Sequence, residues 1–253
     1  MKKLKIITFL LLTLWVRFDV QAQSTNKEKP TIVFVHGVWA DGTSFSSQII
    51  DLQAKGYNVV SVQNSITSLS EDVAITQRAI DLIKGPVILV GHSWGGFVIS
   101  QFSNEPKVIG LVYLAAFAPE EGETILSLNE NASQTELHKY FVPLNGYVYI
   151  SIEGIKNVFA SDLSSKQQEL IYAAQIPASQ SIFADKSNAP AWKQKPTWYV
   201  VAKNDKTINP DLERFMARRM KAKTIEIASS HVVMNSHPKE VLKIIEEAAD
   251  YKH

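Results

Sequence analysis

Short apolar runs rich in β-branched residues alternate with longer amphipathic runs along most of the chain. A continuous apolar run such as Val87-Ile88-Leu89-Val90 is typical of a strand that is buried on both faces. Strands of this kind, separated by helices, favour a parallel sheet with helices on each side. The pattern therefore predicts an α/β fold with a mostly parallel central sheet, whose strands are Thr31 to His36, Tyr57 to Gln63, Val87 to Gly91, Val108 to Ala115, Thr197 to Ala202 and Thr224 to Ile227.

Helices are expected where apolar residues recur every three or four positions. The second helix has clear end signals, because Ser70 precedes two acidic residues as a candidate N-cap and Gly85-Pro86 follows the last turn. The predicted helices are Phe45 to Lys55, Glu71 to Lys84, Trp94 to Asn104, Asp211 to Met220 and Lys239 to Tyr251.

The interval from Pro119 to Pro196 is too long for an ordinary crossover connection. It has 78 residues, whereas a crossover in such a sheet takes a few tens of residues at most. It is rich in aromatic residues, and Tyr147 to Ile152 fits a short strand. We interpret residues 119–196 as a lid over a cleft, with residues 23–118 and 197–253 forming the core. The alternative is a surface elaboration with a small core of its own.

The first 22 residues have the features of a secretory signal peptide. Lysines precede an apolar stretch of 11 residues, Ile6 to Val16, and the small residues Val20 and Ala22 fit cleavage after Ala22. That stretch is far shorter than the roughly 20 residues of a membrane-crossing helix. We therefore expect a secreted or periplasmic protein with no stable membrane anchor after cleavage.

Composition narrows the functions that the chain can have. The 253 residues carry a formal net charge of +1, which gives no support for a nucleic-acid partner. The chain has no cysteine, so disulfides and thiolate metal sites are excluded. No His-x₃-His pair and no phosphate-binding glycine loop is present, so neither a metal nor a cofactor is expected. Nothing in the sequence specifies an oligomeric state.

The strongest chemical signal is Gly91-His92-Ser93-Trp94-Gly95, which lies between a predicted strand and a predicted helix. This is the pattern G-x-S-x-G in the strand-turn-helix context that a serine nucleophile requires. The flanking glycines matter because a sharp strand-to-helix turn leaves almost no room for side chains. The pattern predicts Ser93 as a nucleophile, and the alternative is a chance Gly-Ser turn.

A second element, His36-Gly37-Val38-Trp39, follows the first predicted strand. A tetrahedral acyl intermediate needs two N–H donors about 3 Å from its oxygen, and the backbone amides of Val38 and Trp94 are the candidates for this oxyanion hole. We expect His36 to brace the loop rather than transfer protons, and His92 to support the site from behind it.

A serine nucleophile also needs a base, and the base needs a carboxylate to fix its tautomer. Asp205 and His231 each follow a predicted strand, so both are expected at the carboxyl edge of the sheet, where α/β sites lie. The chain order Ser93, Asp205, His231 is the order that accompanies G-x-S-x-G. The rival candidates are His237, Asp211 and Asp185, and Glu120 is a further carboxylate to consider.

These motifs resemble those of the α/β-hydrolases over nearly all of the chain after residue 22. The resemblance is to the small capped branch that contains plant methyl-ester esterases and hydroxynitrile lyases, and more closely to exported bacterial hydrolases. The matching stretches are Val35 to Trp39, the turn around Ser93, Leu111 to Ala116, Asn204 to Ile208 and Ser230 to Met234. The resemblance implies the α/β-hydrolase fold with an inserted lid, a Ser93–Asp205–His231 triad and an oxyanion hole at Val38 and Trp94.

Two departures refine this reading. Ser93 stands where related dehalogenases and epoxide hydrolases carry a carboxylate, which disfavours their chemistry. Val38 lacks the hydroxyl that cyanohydrin-cleaving relatives carry as a threonine, and no lid lysine aligns with theirs among Lys139, Lys156 and Lys166.

The expected function is therefore that of an exported, cofactor-free serine hydrolase. Its substrate would be a small, mostly apolar carboxylic ester, thioester or lactone, cleaved through an acyl-enzyme. Trp39 is a candidate substrate-binding residue, with core packing as the alternative role for it and for Trp94. Two alternative functions remain open: a hydroxynitrile-lyase-like or perhydrolase reaction at the same triad, and non-catalytic ligand binding on the same fold.

Overall fold

The computed structural model describes residues 29–188 and 190–252, so the predicted signal peptide, residues 1–22, lies outside the described residues. Within the described part, the strands are β1 (Thr31–Val35), β2 (Val59–Val62), β3 (Val87–His92), β4 (Val108–Leu114), β5 (Phe141–Leu144), β6 (Tyr147–Ile150), β7 (Ala178–Ser179), β8 (Thr197–Ala202) and β9 (Lys223–Ile227). The α-helices are α1 (Ser46–Ala54), α2 (Leu69–Asp81), α3 (Trp94–Ile99), α4 (Ile125–Asn129), α5 (Ile152–Gly154), α6 (Ser165–Ala174), α7 (Pro210–Arg219), α8 (Val233–Ser236) and α9 (Pro238–Asp250).

Six strands form the central sheet in the order β2-β1-β3-β4-β8-β9, and every neighbouring pair is parallel. The side chains of β1, β3 and β8 are fully buried, as expected of strands covered on both faces. Helix α1 packs against α9, and α2 packs against α3. Right-handed crossovers put these two pairs on opposite faces of the sheet. The predicted α/β fold with a mostly parallel sheet is confirmed.

The order of the strands determines where a site can form. The chain steps outward from β1 to β2 and then returns past β1 to β3, so the direction of winding reverses between β1 and β3. At such a switch point the loops after the two neighbouring strands separate and leave a crevice at the carboxyl edge of the sheet. His36 to Trp39 and the turn at Ser93 lie at this edge, because they directly follow β1 and β3.

Residues 119–196, which we call the lid, join β4 to β8 and contain a second sheet. This sheet has three antiparallel strands in the order β5-β6-β7. Its buried side chains, such as Val148, Ile150 and Phe159, belong to the same apolar cluster as the strands of the central sheet. The lid is therefore packed onto the core and shares the core's interior.

Helices α2 and α3 have bounds that differ from the sequence prediction by more than one residue, and α2 ends at Asp81 rather than at Lys84. Helix α2 begins at Leu69 and is capped by Ser68, whose hydroxyl accepts a hydrogen bond from Glu71 N at 3.2 Å, so Ser70 is not the N-cap. Helix α3 ends at Ile99 rather than at Asn104. The carbonyl of Ser100 accepts a 2.7 Å hydrogen bond from the lid residue Ala191, so it does not continue the helical ladder.

Within the described residues, no helix combines the length and the apolar character that crossing a membrane requires.

Candidate active site

Ser93 occupies the sharp turn between β3 and α3. Its backbone has φ of 54° and ψ of −120°, a region that a residue with a side chain rarely adopts. The turn is held by hydrogen bonds on both sides, from Ser93 N to Leu114 O at 3.3 Å and from Phe117 N to Ser93 O at 3.1 Å. These bonds hold the strained conformation of Ser93 in place.

The two outer glycines of the motif are required by close backbone approach. A Cβ atom on Gly95 would lie 2.0 Å from the carbonyl oxygen of Val35 at the end of β1, and one on Gly91 would lie 2.6 Å from the backbone of Gly95. Either atom would overlap the backbone of its neighbour. The glycines therefore let the turn pack directly against β1.

The loop after β1 lies beside the side chain of Ser93. A Cβ atom on Gly37 would be 2.6 Å from Cβ of Ser93, so only glycine fits here. Among the described residues, the amides of Val38 and Trp94 donate no hydrogen bond to a protein acceptor. The first amide of a helix has no partner within the helix, which accounts for the free N–H of Trp94. Two free donors thus flank Ser93.

His231 and Asp205 meet at the same edge of the sheet. His231 Nδ1 lies 2.5 Å from Asp205 Oδ2, and both side chains are fully buried. The other carboxylate oxygen of Asp205 accepts hydrogen bonds from Thr207 N at 2.6 Å and Ile208 N at 3.1 Å. Because the carboxylate accepts the Nδ1 proton, His231 carries its lone pair on Nε2.

That nitrogen, His231 Nε2, is buried and has no hydrogen-bond partner among the described residues, so it is not hydrogen-bonded to the hydroxyl of Ser93. The imidazole of His231 packs against that of His92, the residue before Ser93, with ring centroids 4.6 Å apart. The structure thus brings Asp205 and His231 into contact and sets them beside the Ser93 turn. In structures without substrate, a catalytic hydrogen bond is often long and tightens only in the complex.

His92 and His36 hold the loops of the site. His92 Nε2 lies 3.0 Å from the carbonyl oxygen of His231, and burial keeps the pKa of His92 well below its ordinary value. His36 Nδ1 lies 2.9 Å from Gly37 O, while its Nε2 accepts a hydrogen bond from Asn64 N at 2.9 Å. Burial also lowers the pKa of His36. Both imidazoles are therefore uncharged, and each hydrogen-bonds to the backbone of a neighbouring loop.

Glu213, which was not among the residues predicted for the site, lies next to the carboxylate of Asp205. It is fully buried on α7, and its Oε2 accepts a 2.9 Å hydrogen bond from Ala202 N. Burial, followed by the negative charge of Asp205, raises the pKa of Glu213 well above its ordinary value. The sequence indicates that Glu213 lies on the buried face of α7, because it precedes the buried Met216 and Ala217 by three and four residues.

Trp39 and Trp94 have different surroundings. Trp39 is 1% exposed and ties the β1 loop to the lid, because its Nε1 donates to Val148 O at 2.8 Å. Its ring contacts Phe159 of the lid, and Phe159 in turn packs 5.1 Å from the ring of His231. The indole of Trp94 stacks on Phe97 and points into the core. Its Nε1 donates to the buried Asp72 at 2.8 Å.

The site is buried in this structure, and Phe159 of the lid packs against its His231. Ser93 is 2% exposed and His231 is not exposed at all. A cavity of about 100 Å³ lies nearby, between the β1 loop and α6 of the lid. Its walls combine apolar and polar residues: Trp39, Ala40, Leu170, Ile171 and Ala174 with Asp41, Thr43, Ser44 and Asn235.

The rival residues have other partners. His237 Nδ1 lies 3.1 Å from Ser236 Oγ, and Asp211 pairs with Arg214 at 2.9 Å. Asp185 of the lid accepts a hydrogen bond from Leu69 N at the start of α2, and Glu120 pairs with Lys193. The described residues contain no group of three or more carboxylate and histidine side chains arranged to hold a metal ion.

Comparisons with known proteins agree with this architecture. A sequence model of the family described as "Alpha/beta hydrolase family" matches residues 32–244. The carbendazim-hydrolysing esterase of Nocardioides sp. is 32% identical over 124 residues, which cover 44% of this chain and 51% of that protein. The match therefore spans about half the length of that relative. A probable hydrolase, R7, of Phoma sp. is 23% identical over 87% of this chain and 98% of its own length.

Among solved structures, polyneuridine aldehyde esterase superposes with a TM-score of 0.74 at 17% identity, covering 88% of this chain and all of that one. An extracellular alpha/beta-hydrolase from a Paenibacillus species, described as similar to a tobacco salicylic-acid-binding protein, gives a TM-score of 0.73 at 18% identity over 88% of this chain and all of its own. At these identities the likeness is one of fold.

The close approach at Gly95 predicts a large stability loss for Gly95→Ala. Because the added Cβ would overlap the backbone of Val35, we expect a cost of about 3 kcal/mol in urea unfolding. Gly56→Ala is the matched control, since Gly56 has φ of 78° but no atom within 4 Å of an added Cβ. Its cost should be about 1 kcal/mol, from backbone strain alone. Equal losses in the two variants would contradict the packing argument.

The raised pKa of Glu213 predicts a pH-dependent effect of Glu213→Gln. As pH rises above 4.5, the ordinary pKa, the unfolded chain loses the proton that the folded protein keeps, so the free energy of unfolding of the wild type falls. Glutamine has no proton to lose. Relative to the wild type, the variant should gain stability between pH 5 and pH 8, on the order of 1 kcal/mol per pH unit at most. A difference that does not change with pH in urea titrations would show that Glu213 is ionised in the folded protein.

Proposed function

The chain belongs to the alpha/beta hydrolase family, and on that premise we propose that it is an exported serine esterase that needs no cofactor. The proposed substrate is a small, mostly apolar carboxylic ester, thioester or lactone. The observation that carries the proposal is the buried His231–Asp205 hydrogen bond of 2.5 Å, which leaves Nε2 of His231 free beside the Ser93 turn.

In the proposed mechanism, His231 Nε2 takes the proton of the Ser93 hydroxyl as Ser93 Oγ attacks the carbonyl carbon of the ester. The tetrahedral intermediate then collapses, and His231 returns the proton to the departing alcohol. A water molecule, deprotonated by the same nitrogen, releases the acid from the acyl-enzyme in the second half of the reaction. Asp205 keeps His231 in the required tautomer throughout.

The free amides of Val38 and Trp94 are the proposed oxyanion hole. Val38 lies on the loop after β1, and Trp94 is the first residue of α3. Donors that need no rearrangement stabilise the developing charge most effectively, and each is typically worth 10²- to 10³-fold in rate. Burial of the site strengthens these interactions, because it excludes water.

An apolar substrate is supported by the residues around the site. Trp39 borders the small cavity under α6, and Phe159 packs against His231. Pockets for small molecules are commonly lined by aromatic side chains with a few convergent polar groups. The names of the relatives reported above, an esterase that hydrolyses carbendazim and an aldehyde esterase, agree with an ester substrate.

Loss of the nucleophile should abolish turnover. We expect the wild type to hydrolyse p-nitrophenyl esters between acetate and decanoate, with the length of the preferred chain reporting the size of the pocket. In Ser93→Ala, kcat should fall on the order of 10⁶-fold. Ser127→Ala is a matched control, because this lid hydroxyl caps α4 and has no contact with the site. Full activity in Ser93→Ala would refute the proposed nucleophile.

Three further assays separate the alternatives. Release of an aldehyde from a cyanohydrin without acylation of Ser93 would indicate a lyase. Peracid formation from an ester and hydrogen peroxide would indicate a perhydrolase. Saturable ligand binding without turnover would indicate a binding protein.

Export makes a prediction about the mature N-terminus. When the full chain is expressed in a bacterium, mass spectrometry of the periplasmic or secreted protein should give a first residue of Gln23, because Val20 and Ala22 fit the signal peptidase. Replacing Ala22 by a bulky residue should leave the precursor uncleaved. An intact Met1 on protein that remains in the cytoplasm would contradict export.

A further inference from the structure

The residue before His231 is held by the lid. Ser230 N donates to Asp162 Oδ2 at 2.8 Å, and Ser230 Oγ donates to Asp162 Oδ1 at 2.5 Å. Asp162 lies in the lid, in the short connection between Phe159 and α6. One lid carboxylate thus accepts both donors of the residue that is covalently joined to the proposed base.

This contact completes the support of the His231 loop. The ring of His231 is held by Asp205, and its carbonyl is held by His92 at 3.0 Å. On the N-terminal side of His231, Ser230 O accepts a hydrogen bond from Ser229 Oγ at 2.8 Å, and Ser229 O accepts one from Asn204 N at 3.0 Å. None of these contacts involves the amide of Ser230, a residue that is only 1% exposed. A buried amide without an acceptor is costly, so Ser230 N depends on the partner that the lid supplies.

The charge of Asp162 suits this task. Its side chain belongs to an exposed residue, so the carboxylate remains hydrated on one side while it accepts two hydrogen bonds on the other. Hydrogen bonds to an ionised acceptor are shorter and stronger than those between neutral groups. Two such bonds between Asp162 and Ser230 fix the orientation of the Ser230 backbone as well as its distance from Asp162.

We propose that Asp162 is a positioning residue that makes the alignment of His231 depend on the seated lid. The proposal rests on the function proposed above, in which His231 is the base. Asp162 belongs to the lid and Ser230 to the loop of the base, so their two hydrogen bonds couple the position of His231 to the packing of the lid on the core.

Kinetics of Asp162 variants test the coupling. Asp162→Ala removes both acceptors. A displacement of the base by about 1 Å costs on the order of 10²-fold in rate. We expect kcat for the preferred p-nitrophenyl ester to fall by that order while KM changes less than about threefold, because the substrate's own contacts are kept. Asp162→Asn keeps one acceptor and should recover part of the loss. Glu169→Gln, which alters another exposed lid carboxylate on α6, should behave as the wild type.

A double-mutant cycle identifies the route of the effect. Ser230→Ala combined with Asp162→Ala should be no slower than the slower single variant, because both substitutions break one unit. Fully additive losses, or a rise in KM with kcat unchanged, would overturn the positioning role. Thermal unfolding of each variant distinguishes slow folded protein from unfolded protein.

A spectroscopic readout separates this proposal from the proposed function. The proton between His231 Nδ1 and Asp205 is visible in the downfield region of the proton NMR spectrum whether or not Ser93 is a nucleophile. The signal should persist in the wild type and Glu169→Gln and exchange faster with water in Asp162→Ala. An unchanged signal in folded Asp162→Ala would overturn the proposal. If the signal changes in Asp162→Ala and turnover survives in Ser93→Ala, the positioning role of Asp162 is supported and only the serine mechanism is refuted.

Discussion

The hydrogen bond between His231 Nδ1 and Asp205 Oδ2 is the contact on which the proposed chemistry depends. It joins the loops after β8 and β9, two neighbouring strands in the parallel sheet, so their carboxyl ends bring the two side chains together. The turn after Asp205 contributes two amides to the same carboxylate. Glu213 is buried next to this carboxylate, and its burial and the negative charge of Asp205 raise the pKa of Glu213. The order of the strands in the sheet therefore determines where Asp205 and His231 lie.

Burial of the site under the lid is the second constraint. It favours the pair, because the interaction is not screened by water, and it keeps His36 and His92 neutral, so that they tie loops together without adding charge. A buried polar group is costly without a partner, and several of those around the site find theirs in distant segments of the chain. Trp39 reaches Val148, His92 reaches the carbonyl of His231, and Asp162 reaches Ser230. Residues of the lid therefore hold the loops of the site, as residues at the edge of the sheet do.

The sequence predicted the parallel sheet well because a strand buried on both faces must be apolar throughout, and such runs are visible without a structure. The place of Ser93 in a sharp turn was predictable, because the glycines two residues before and after it are required by the close backbone approach there. The end of α3 was not predictable, since it depends on Ala191 at the far end of the lid, and the start of α2 could have been at either of two serines. Asp162 resembles a surface acid in sequence, and its partner Ser230 lies 68 residues further along the chain. Glu213 lies at helical spacing from buried apolar residues, but its contact with Ala202 depends on how α7 packs against β8.

The most direct test of the central claim is a covalent label on the nucleophile. The protein is incubated with a fluorophosphonate, and the adduct is located by peptide mapping. The account predicts one adduct, on Ser93, that forms several orders of magnitude more slowly in His231→Ala because the hydroxyl then lacks its base. An adduct on another residue, or equal labelling of a folded His231→Ala variant, would contradict it.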